Sequence, residues 1–190
     1  MEFKKIQLNG FKSFAEKADF LIEDGLTGIV GPNGCGKSNI VESLRWAMGE
    51  TSAKSMRGSG MEDVIFSGTS NKASKNIAEV TIEVENKDKE GPVQYRDHDQ
   101  IQIKRKIEKD KGSKFYINGK EVRARDAQMF FADLSTGAHS PSMISQGRIG
   151  ALVTAKPTDR RAILEEAAGI SGLHVRRHEA ELRLGAAENN

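Results

Sequence analysis

The segment GIVGPNGCGKSNIVESLRWAMGE, residues 28–50, joins a short apolar stretch to an amphipathic helical pattern through a glycine-rich loop. Its central part, Gly31-Pro-Asn-Gly-Cys-Gly-Lys37-Ser38, matches the phosphate-loop pattern G-x-x-x-x-G-K-[ST]. Glycines let the backbone curl so that successive N–H groups face an anion, and the N-terminus of the following helix adds its positive dipole end. The segment therefore predicts a site for nucleotide phosphates, with an ordinary glycine-rich strand-to-helix turn as the alternative interpretation.

The residue types of this loop suggest roles in a site for ATP and Mg²⁺. Lys37 would place its ammonium between the β- and γ-phosphates, and the Ser38 hydroxyl would bind Mg²⁺. Cys35 would contribute its backbone rather than its sulfur, because no second thiol or metal-ligand partner accompanies it. The nucleotide-binding residues expected in the loop and the first helical turn are Pro32, Asn33, Gly34, Cys35, Gly36, Lys37, Ser38 and Asn39.

The composition favours a soluble globular domain. The chain has 190 residues, of which 37% are hydrophobic and 29% charged, and this length allows one domain with a substantial core. No apolar run is long enough for a membrane span, and the N-terminus lacks the apolar region of a secretory signal. The single cysteine, Cys35, excludes an internal disulfide and suits a reducing cytoplasm. A net charge of +2 is too small to indicate a nucleic-acid partner by itself.

Alternating apolar and polar residues predict strands in the first part of the chain. A turn is expected at Gly10, between the first two strands, and a type I′ turn at Asn118-Gly119 within a hairpin. The stretch before the phosphate loop is predicted to be a short buried strand. The expected strands are residues 3–9, 18–22, 25–31, 78–86, 100–110 and 114–122.

Helical periodicity marks the phosphate-loop helix and the later part of the chain. The first helix should run from about Lys37 to Gly49, and helices dominate from about Arg125 onward. A further helix is expected after Pro157, with Thr158 as its N-cap and Gly169 at its end. Residues 171–190 begin another helix with at most two heptads and no C-terminal cap signal, which suggests that it continues. The apolar face of the first helix is predicted to be Ile40, Val41, Leu44, Ala47 and Met48.

The groups that would activate water for ATP hydrolysis are missing from the sequence. An ATPase of this class needs an acidic residue after a buried strand and a neighbouring carboxylate. Residues 129–134, MFFADL, come closest, but Leu134 stands where the glutamate should be. The acids of AILEEAAG follow apolar residues at helical spacing, and LSTG, residues 134–137, only partly matches an ABC signature sequence. The sequence therefore predicts half of an ATP site.

Five segments together resemble the N-terminal head segment of structural maintenance of chromosomes (SMC) proteins of the bacterial condensin type. They are GFKSFAEKADF, GIVGPNGCGKSNIVESLRWAMGE, MRGSGMEDVIFSGT, SMISQGRI and RRAILEEAAGI, in the family's order and over nearly the whole chain. DNA double-strand-break repair ATPases share the phosphate loop and Q-loop but resemble ILEEAAGI less.

The resemblance implies an α/β fold, namely the N-terminal half of an ABC-type P-loop ATPase head. A mixed sheet would surround the P-loop helix, beside an antiparallel strand-rich subdomain. Residues 1–170 would form the head half, and residues 171–190 would begin the coiled-coil neck helix. The C-terminal half of the same protein would supply the signature motif, the acidic magnesium ligand and the catalytic glutamate.

The resemblance also carries over to individual residues. Gln146, in SQG, would be the Q-loop glutamine that coordinates Mg²⁺ and orients the attacking water. Arg57 would reach the nucleotide phosphates and, with Lys37 and Gln146, take part in catalysis, while Lys12 and Ser13 would lie beside the nucleotide. The alternative interpretations are that Gln146 is an ordinary glutamine of a surface loop, that Arg57 is a solvated loop arginine, and that Lys12 is an ordinary lysine in a turn after a strand.

The resemblance implies macromolecular partners as well. Lys120, Arg123 and Arg125 would bind the backbone of double-stranded DNA, and a lysine-protected strand edge is the alternative. Leu173, Leu182 and Leu184 are candidates for contact with a kleisin subunit at the neck, in competition with packing against the returning half of the coiled coil. His174 and His178 lie four residues apart but lack a third metal ligand, so a solvated helix face is favoured.

Three functions are consistent with these features. The first is half of an SMC ATPase head in which ATP clamps two heads of a homodimer together, for chromosome condensation and segregation in the cytoplasm at the nucleoid. In this hypothesis the 190 residues alone do not hydrolyse ATP. The second is a nucleotide- or DNA-binding module without turnover, and the third is a head segment of a related DNA-repair ATPase.

Overall fold

The computed structural model describes residues 1–87, 89 and 91–134, together with scattered positions among residues 153–187. The chain divides into two compact units, Met1–Gln128 and Met129–Asn190. The predicted boundary after residue 170 falls inside the second unit, where few residues are described, and it remains a prediction.

The first unit is built on a six-stranded antiparallel sheet with strand order β2-β1-β3-β4-β5-β6. Two α-helices and three short 3-10 helices, Lys54–Met56, Met61–Val64 and Val93–Tyr95, join or flank the strands. The α-helices are α1, Lys37–Ala47, and α2, Ala124–Asp133. The strands are β1 Glu2–Asn9, β2 Ala18–Leu21, β3 Ile77–Glu85, β4 Gln100–Glu108, β5 Gly112–Ile117 and β6 Lys120–Val122.

The alternation of apolar and polar residues along the strands explains why one face of the sheet is buried. In the central strands the register pairs Ile6 with Ile82 and Ile82 with Ile103, and all three side chains are buried. Such cross-strand apolar pairs stabilise a sheet whose face is covered, and α1 packs against β3 and β4. The β5–β6 turn has positive φ at both Asn118 and Gly119, 48° and 80°, which confirms the predicted type I′ geometry.

Helix α1 begins and ends as predicted, but its buried face differs in part. The Met48 N–H donates to the carbonyl oxygen of Leu44, and Gly49 follows in the left-handed region. Val41 and Leu44, predicted to face the core, are only half-buried. The buried helix residues are Ile40, Glu42, Ser43, Trp46 and Ala47, because this face of the helix is the one directed to the sheet.

The predicted strand at residues 25–31 is wrong for this structure. Leu26 and Val30 are 99% and 93% exposed, and the segment forms no sheet pairing among the described residues. A strand needs a neighbour to satisfy its backbone groups, and apolar character alone does not provide one. Every strand pairing in the described part of the first unit is antiparallel.

The second unit is described at few positions. Residues 129–133 continue α2, so MFFADL is helical except for Leu134, which agrees with the prediction of helix from about Arg125 onward. Pro157 and Thr158 are already helical, and the Arg160 N–H donates to the carbonyl oxygen of Lys156, so the helix starts before Thr158 and that residue is not its N-cap. No helix among the described residues has the length and apolar character needed to cross a membrane.

Candidate nucleotide-phosphate site

The glycine-rich loop leads into α1 through a residue that only glycine occupies easily. Gly36 is the N-cap residue of α1, with φ of 98°, and no side chain caps the helix there. A Cβ atom at Gly36 would lie 2.5 Å from the Ser13 hydroxyl oxygen. The amides of the first helical turn thus have no side-chain acceptor, and such a helix end suits an anion.

The side chain of Lys37 folds back over the loop that precedes it. Its Nζ donates to the carbonyl oxygens of Gly31 and Pro32 at 2.5 and 2.6 Å and lies 3.7 Å from the Cys35 sulfur. Ser38 is exposed next to it, at the second position of α1. An ammonium therefore lies at the loop, where phosphate oxygens could replace backbone carbonyls as its acceptors.

A hydrogen-bonded chain connects three predicted site residues in the first unit. Asn39 Nδ2 donates to the Ser13 hydroxyl at 2.9 Å, and Arg57 Nη2 donates to Asn39 Oδ1 at 3.0 Å. These residues come from the turn after β1, the first turn of α1 and the end of a 3-10 helix. The fold thus brings Ser13 and Arg57 to the N-terminal end of α1.

Glu42 is a charged residue at this site that the sequence reasoning missed. Its carboxylate contacts Lys12 Nζ and lies 2.5 Å from Arg57 Nε, and its side chain is only 11% exposed. Lys12 Nζ also donates to the carbonyl oxygen of Met56. The available signal was spacing, because Glu42 stands four residues after Ser38 and therefore on the same helix face.

Most of the predicted nucleotide-binding residues lie together in the first unit. The group comprises Lys12, Ser13, Pro32, Asn33, Gly34, Cys35, Gly36, Lys37, Ser38, Asn39 and Arg57. Gln146 and residues 135–137 of LSTG lie outside the described residues. No group of three or more His, Cys, Asp or Glu side chains that could hold a metal ion occurs in the described part of the chain. Of the two predicted Mg²⁺ ligands, the structure describes Ser38.

The predicted DNA-binding residues lie at the edge of the sheet. Lys120 begins β6, the terminal strand, and Arg123 and Arg125 follow it at the start of α2. All three are exposed. Asp126 Oδ2 accepts a hydrogen bond from the Arg123 main-chain N–H, and the Arg123 carbonyl oxygen accepts one from the Asp126 N–H.

Of the three leucines predicted to contact a kleisin, the structure describes only Leu184, which is helical and 65% exposed. Leu173, Leu182, His174 and His178 lie outside the described residues. Arg177 Nε lies 3.2 Å from the Glu181 carboxylate, one helical turn further along.

The phosphate-loop pattern, the uncapped start of α1 and the cations beside it are features of the P-loop class of proteins. The RecF/RecN/SMC N terminal domain model matches residues 2–148, and the chain belongs to this family. It is 57% identical over 190 residues to the chromosome partition protein Smc of Rhodopseudomonas palustris, covering all of this chain and 16% of that protein. The chain thus spans 16% of the length of that relative.

Two solved structures share the fold. An Smc head domain with an extended coiled coil, bound to the C-terminal domain of ScpA and derived from Pyrococcus furiosus, has a TM-score of 0.82 at 31% identity, covering 99% of this chain and 47% of the other. A structure described for ATP-driven dimerization and DNA stimulated activation of SMC ATPases has a TM-score of 0.77 at 30% identity, covering 88% of this chain and 99% of the other. The fold is therefore that of an SMC head segment, an α/β fold with a six-stranded antiparallel sheet and helices.

Proposed function

We propose that this chain is the N-terminal, ATP-binding half of an SMC ATPase head that acts in chromosome condensation and segregation. The observation that carries the proposal is that Lys37 lies over the phosphate loop while Arg57 contacts Asn39, in the uncapped first turn of α1 that follows this loop. An uncapped helix N-terminus, an ammonium and a guanidinium together suit a polyphosphate. A DNA-repair head segment, one alternative, would share this loop, but the likeness over the whole of this chain is to a chromosome partition protein. The other alternative, a binding module without turnover, differs from the proposal only in the absence of the C-terminal half.

The residues present fit ATP and one Mg²⁺. The loop 32–36, Lys37 and Asn39 would hold the phosphates, and Lys12 and Ser13 would lie beside the nucleotide. Ser38 and Gln146 would bind Mg²⁺, which would neutralise phosphate charge. Lys37, Arg57 and Gln146 are the catalytic residues that we propose for this half of the site.

The C-terminal half of the same protein is the first proposed partner. The segment at residues 25–31 supports it, because Leu26 and Val30 are almost fully exposed and the segment has no sheet neighbour among the described residues. An apolar extended segment of this kind could join a sheet supplied by another part of the protein. That half would bring the acidic residues that this chain lacks, so the chain alone would not hydrolyse ATP.

Three further partners follow from the family. A second head would complete the homodimer, and a kleisin would bind the neck helix through Leu173, Leu182 and Leu184. Support comes from the ScpA domain bound to the Pyrococcus furiosus Smc head. Double-stranded DNA would bind through Lys120, Arg123 and Arg125, whose exposure at the sheet edge suits phosphate contacts that ignore base sequence. With DNA as a partner, the protein would act in the cytoplasm, at the nucleoid.

The test is ATP binding and hydrolysis by the full-length protein with Lys37→Ile. Loss of the ammonium should abolish hydrolysis and weaken nucleotide binding, while Lys17→Ile, at an exposed lysine outside the loop, should leave both unchanged. Hydrolysis by the Lys37→Ile protein at the wild-type rate would contradict the proposal.

A further inference from the structure

One edge of the Arg57 guanidinium is held by two acceptors from α1. Arg57 Nε lies 2.5 Å from Glu42 Oε1, and Nη2 donates to Asn39 Oδ1 at 3.0 Å. Glu42 and Asn39 stand three residues apart, so both face the same side of the helix. Nε and Nη2 form the side edge of the planar group, and its terminal edge, with Nη1, has no partner among the described residues.

The charges of Glu42, Lys12 and Arg57 do not cancel. The Glu42 carboxylate also contacts Lys12, and these two side chains are 11% and 13% exposed. A buried carboxylate needs a partner of opposite charge, and the equally buried Lys12 provides it. Arg57, whose side chain is 59% exposed, therefore adds a positive charge that Glu42 does not fully neutralise. Such a charge beside the first turn of α1 favours the binding of an anion such as a nucleotide phosphate.

The backbone of Arg57 is constrained as well. Its φ is 55°, in the left-handed region that non-glycine residues rarely occupy. The preceding residue, Met56, is 1% exposed, and its carbonyl oxygen accepts a hydrogen bond from Lys12 Nζ. Lys12 thus links the Arg57 backbone to Glu42, which holds the Arg57 side chain. Strain of this kind persists where surrounding contacts determine the conformation.

We propose that Glu42 is a positioning residue for phosphate recognition. Together with Asn39 it holds the side edge of Arg57, so that the terminal edge remains for the oxygens of a nucleotide phosphate. In this role Glu42 acts through Arg57 and not by contact with the nucleotide. This inference rests on the proposed function, because it requires Arg57 to bind ATP.

A double-mutant cycle in the full-length protein tests this role. Glu42→Gln keeps the shape and an acceptor oxygen but removes the charge that strengthens the bond to Arg57. We expect it to lower kcat about 5-fold, and to weaken binding of a non-hydrolysable ATP analogue, when Arg57 is present. In an Arg57→Ala background the same change should alter both quantities by less than about 1.5-fold. Glu23→Gln, at an exposed glutamate, is the matched control.

The cycle separates positioning from a structural role. Equal losses from Glu42→Gln with and without Arg57 would overturn the proposal, as would an unchanged kcat and affinity in the Arg57 protein. If Glu42→Gln does not fold, Glu42→Asp replaces it, because it keeps the charge near Lys12 but withdraws the carboxylate from Arg57 by one methylene. Glu42→Asp should likewise lower kcat and analogue binding only when Arg57 is present.

Controls distinguish failure of this inference from failure of the proposed function. Hydrolysis that survives Lys37→Ile would contradict the proposed function itself. If Lys37→Ile abolishes hydrolysis but Arg57→Ala changes neither kcat nor the affinity for the analogue, ATP hydrolysis at the phosphate loop stands, whereas the catalytic role of Arg57 and the positioning role of Glu42 are both overturned.

Discussion

Arg105 Nη1 donates a 2.6 Å hydrogen bond to the main-chain carbonyl oxygen of Trp46, and thereby joins the central sheet to the last turn of α1. The same nitrogen donates to the Glu50 carbonyl oxygen at 2.7 Å. The guanidinium carbon lies 4.5 Å from the Trp46 ring centroid and 4.6 Å from that of Phe115. Burial lowers the pKa of Arg105 to about 10, so the side chain stays charged at neutral pH. A cation at this helix end is stabilising.

Replacing Arg105 with methionine should strongly destabilise the first unit. The change removes the charged donor shared by two buried carbonyl oxygens, of which that of Trp46 keeps the Gly49 N–H while that of Glu50 loses its described donor. It also removes the contacts with two aromatic rings, so the expected cost is about 3 kcal/mol in the free energy of unfolding. Urea titration measures this change in the free energy of unfolding. Lys109→Met, at an exposed lysine further along the same segment, should change the free energy by less than about 0.5 kcal/mol. Equal stability of the two variants would show that Arg105 does not anchor α1.

Gly36→Ala should disrupt the phosphate loop. The added Cβ would lie 2.5 Å from the Ser13 hydroxyl, at a backbone φ of 98°. We expect ATP affinity to fall at least 10-fold, because alanine is strained at this φ and the Ser13 side chain, which bonds Asn39, must also move. Gly28→Ala, where a Cβ meets no atom within 4 Å, should bind ATP normally. Equilibrium binding of a fluorescent ATP analogue measures both, and unchanged affinity in Gly36→Ala would contradict the loop geometry.

The loop after Arg57 should become less ordered in acid. A hydrogen bond from the Gly60 N–H, with others from the Ser59 hydroxyl and N–H, lowers the pKa of Asp63. A lowered carboxyl pKa means that these bonds stabilise the loop at neutral pH, and that the contribution disappears as pH falls below about 4 through the folded-state value.

Hydrogen exchange at the Ser59 and Gly60 amides, corrected for the intrinsic rate at each pH, tests this. Protection should be constant from neutral pH to about 4 and fall below it. In Asp63→Asn it should be low throughout, whereas Asp97→Asn, at an exposed aspartate, should behave like the wild type. Protection in Asp63→Asn equal to that of the wild type would contradict the assignment.

Substitution of the sheet-edge cations should weaken DNA binding without base-sequence preference. Lys120→Ala, Arg123→Ala and Arg125→Ala together should lower affinity for double-stranded DNA and reduce the salt slope by about 1 per lost phosphate contact. Titration of labelled duplexes of two unrelated sequences at several salt concentrations measures this. Arg96→Ala, at another exposed arginine, is the control. An unchanged salt slope in the triple variant would remove these residues from the proposed DNA surface.

Local sequence patterns predicted the elements whose geometry depends on residues close to them in the sequence. Alternation marked the sheet strands, and Asn118-Gly119 marked the turn before β6, because both depend on short-range geometry. The strand predicted at residues 25–31 is absent from the structure, since a strand also needs a pairing partner that is distant in sequence. An apolar run carries no information about whether that partner is present.

The candidate site also contains residues that local sequence predicts and residues whose role depends on contacts distant in sequence. The motif predicted the loop, Lys37 and Ser38, because each has a fixed position relative to the glycines. Glu42 escaped notice because a glutamate in an amphipathic helix usually faces solvent, and its burial depends on Lys12 and Arg57 from other segments. Arg105 escaped notice for a similar reason, since alternation on β4 predicts a buried position but not a buried cation.

The most direct test of the central claim is ATP hydrolysis by the 190-residue chain, measured alone and after addition of the C-terminal half of the head. The account predicts no turnover above background for the chain alone, and turnover when the C-terminal half is present. With Lys37→Ile that turnover should be absent. Clear turnover by the chain alone, sensitive to Lys37→Ile, would contradict the claim that this chain carries only half of an ATPase site.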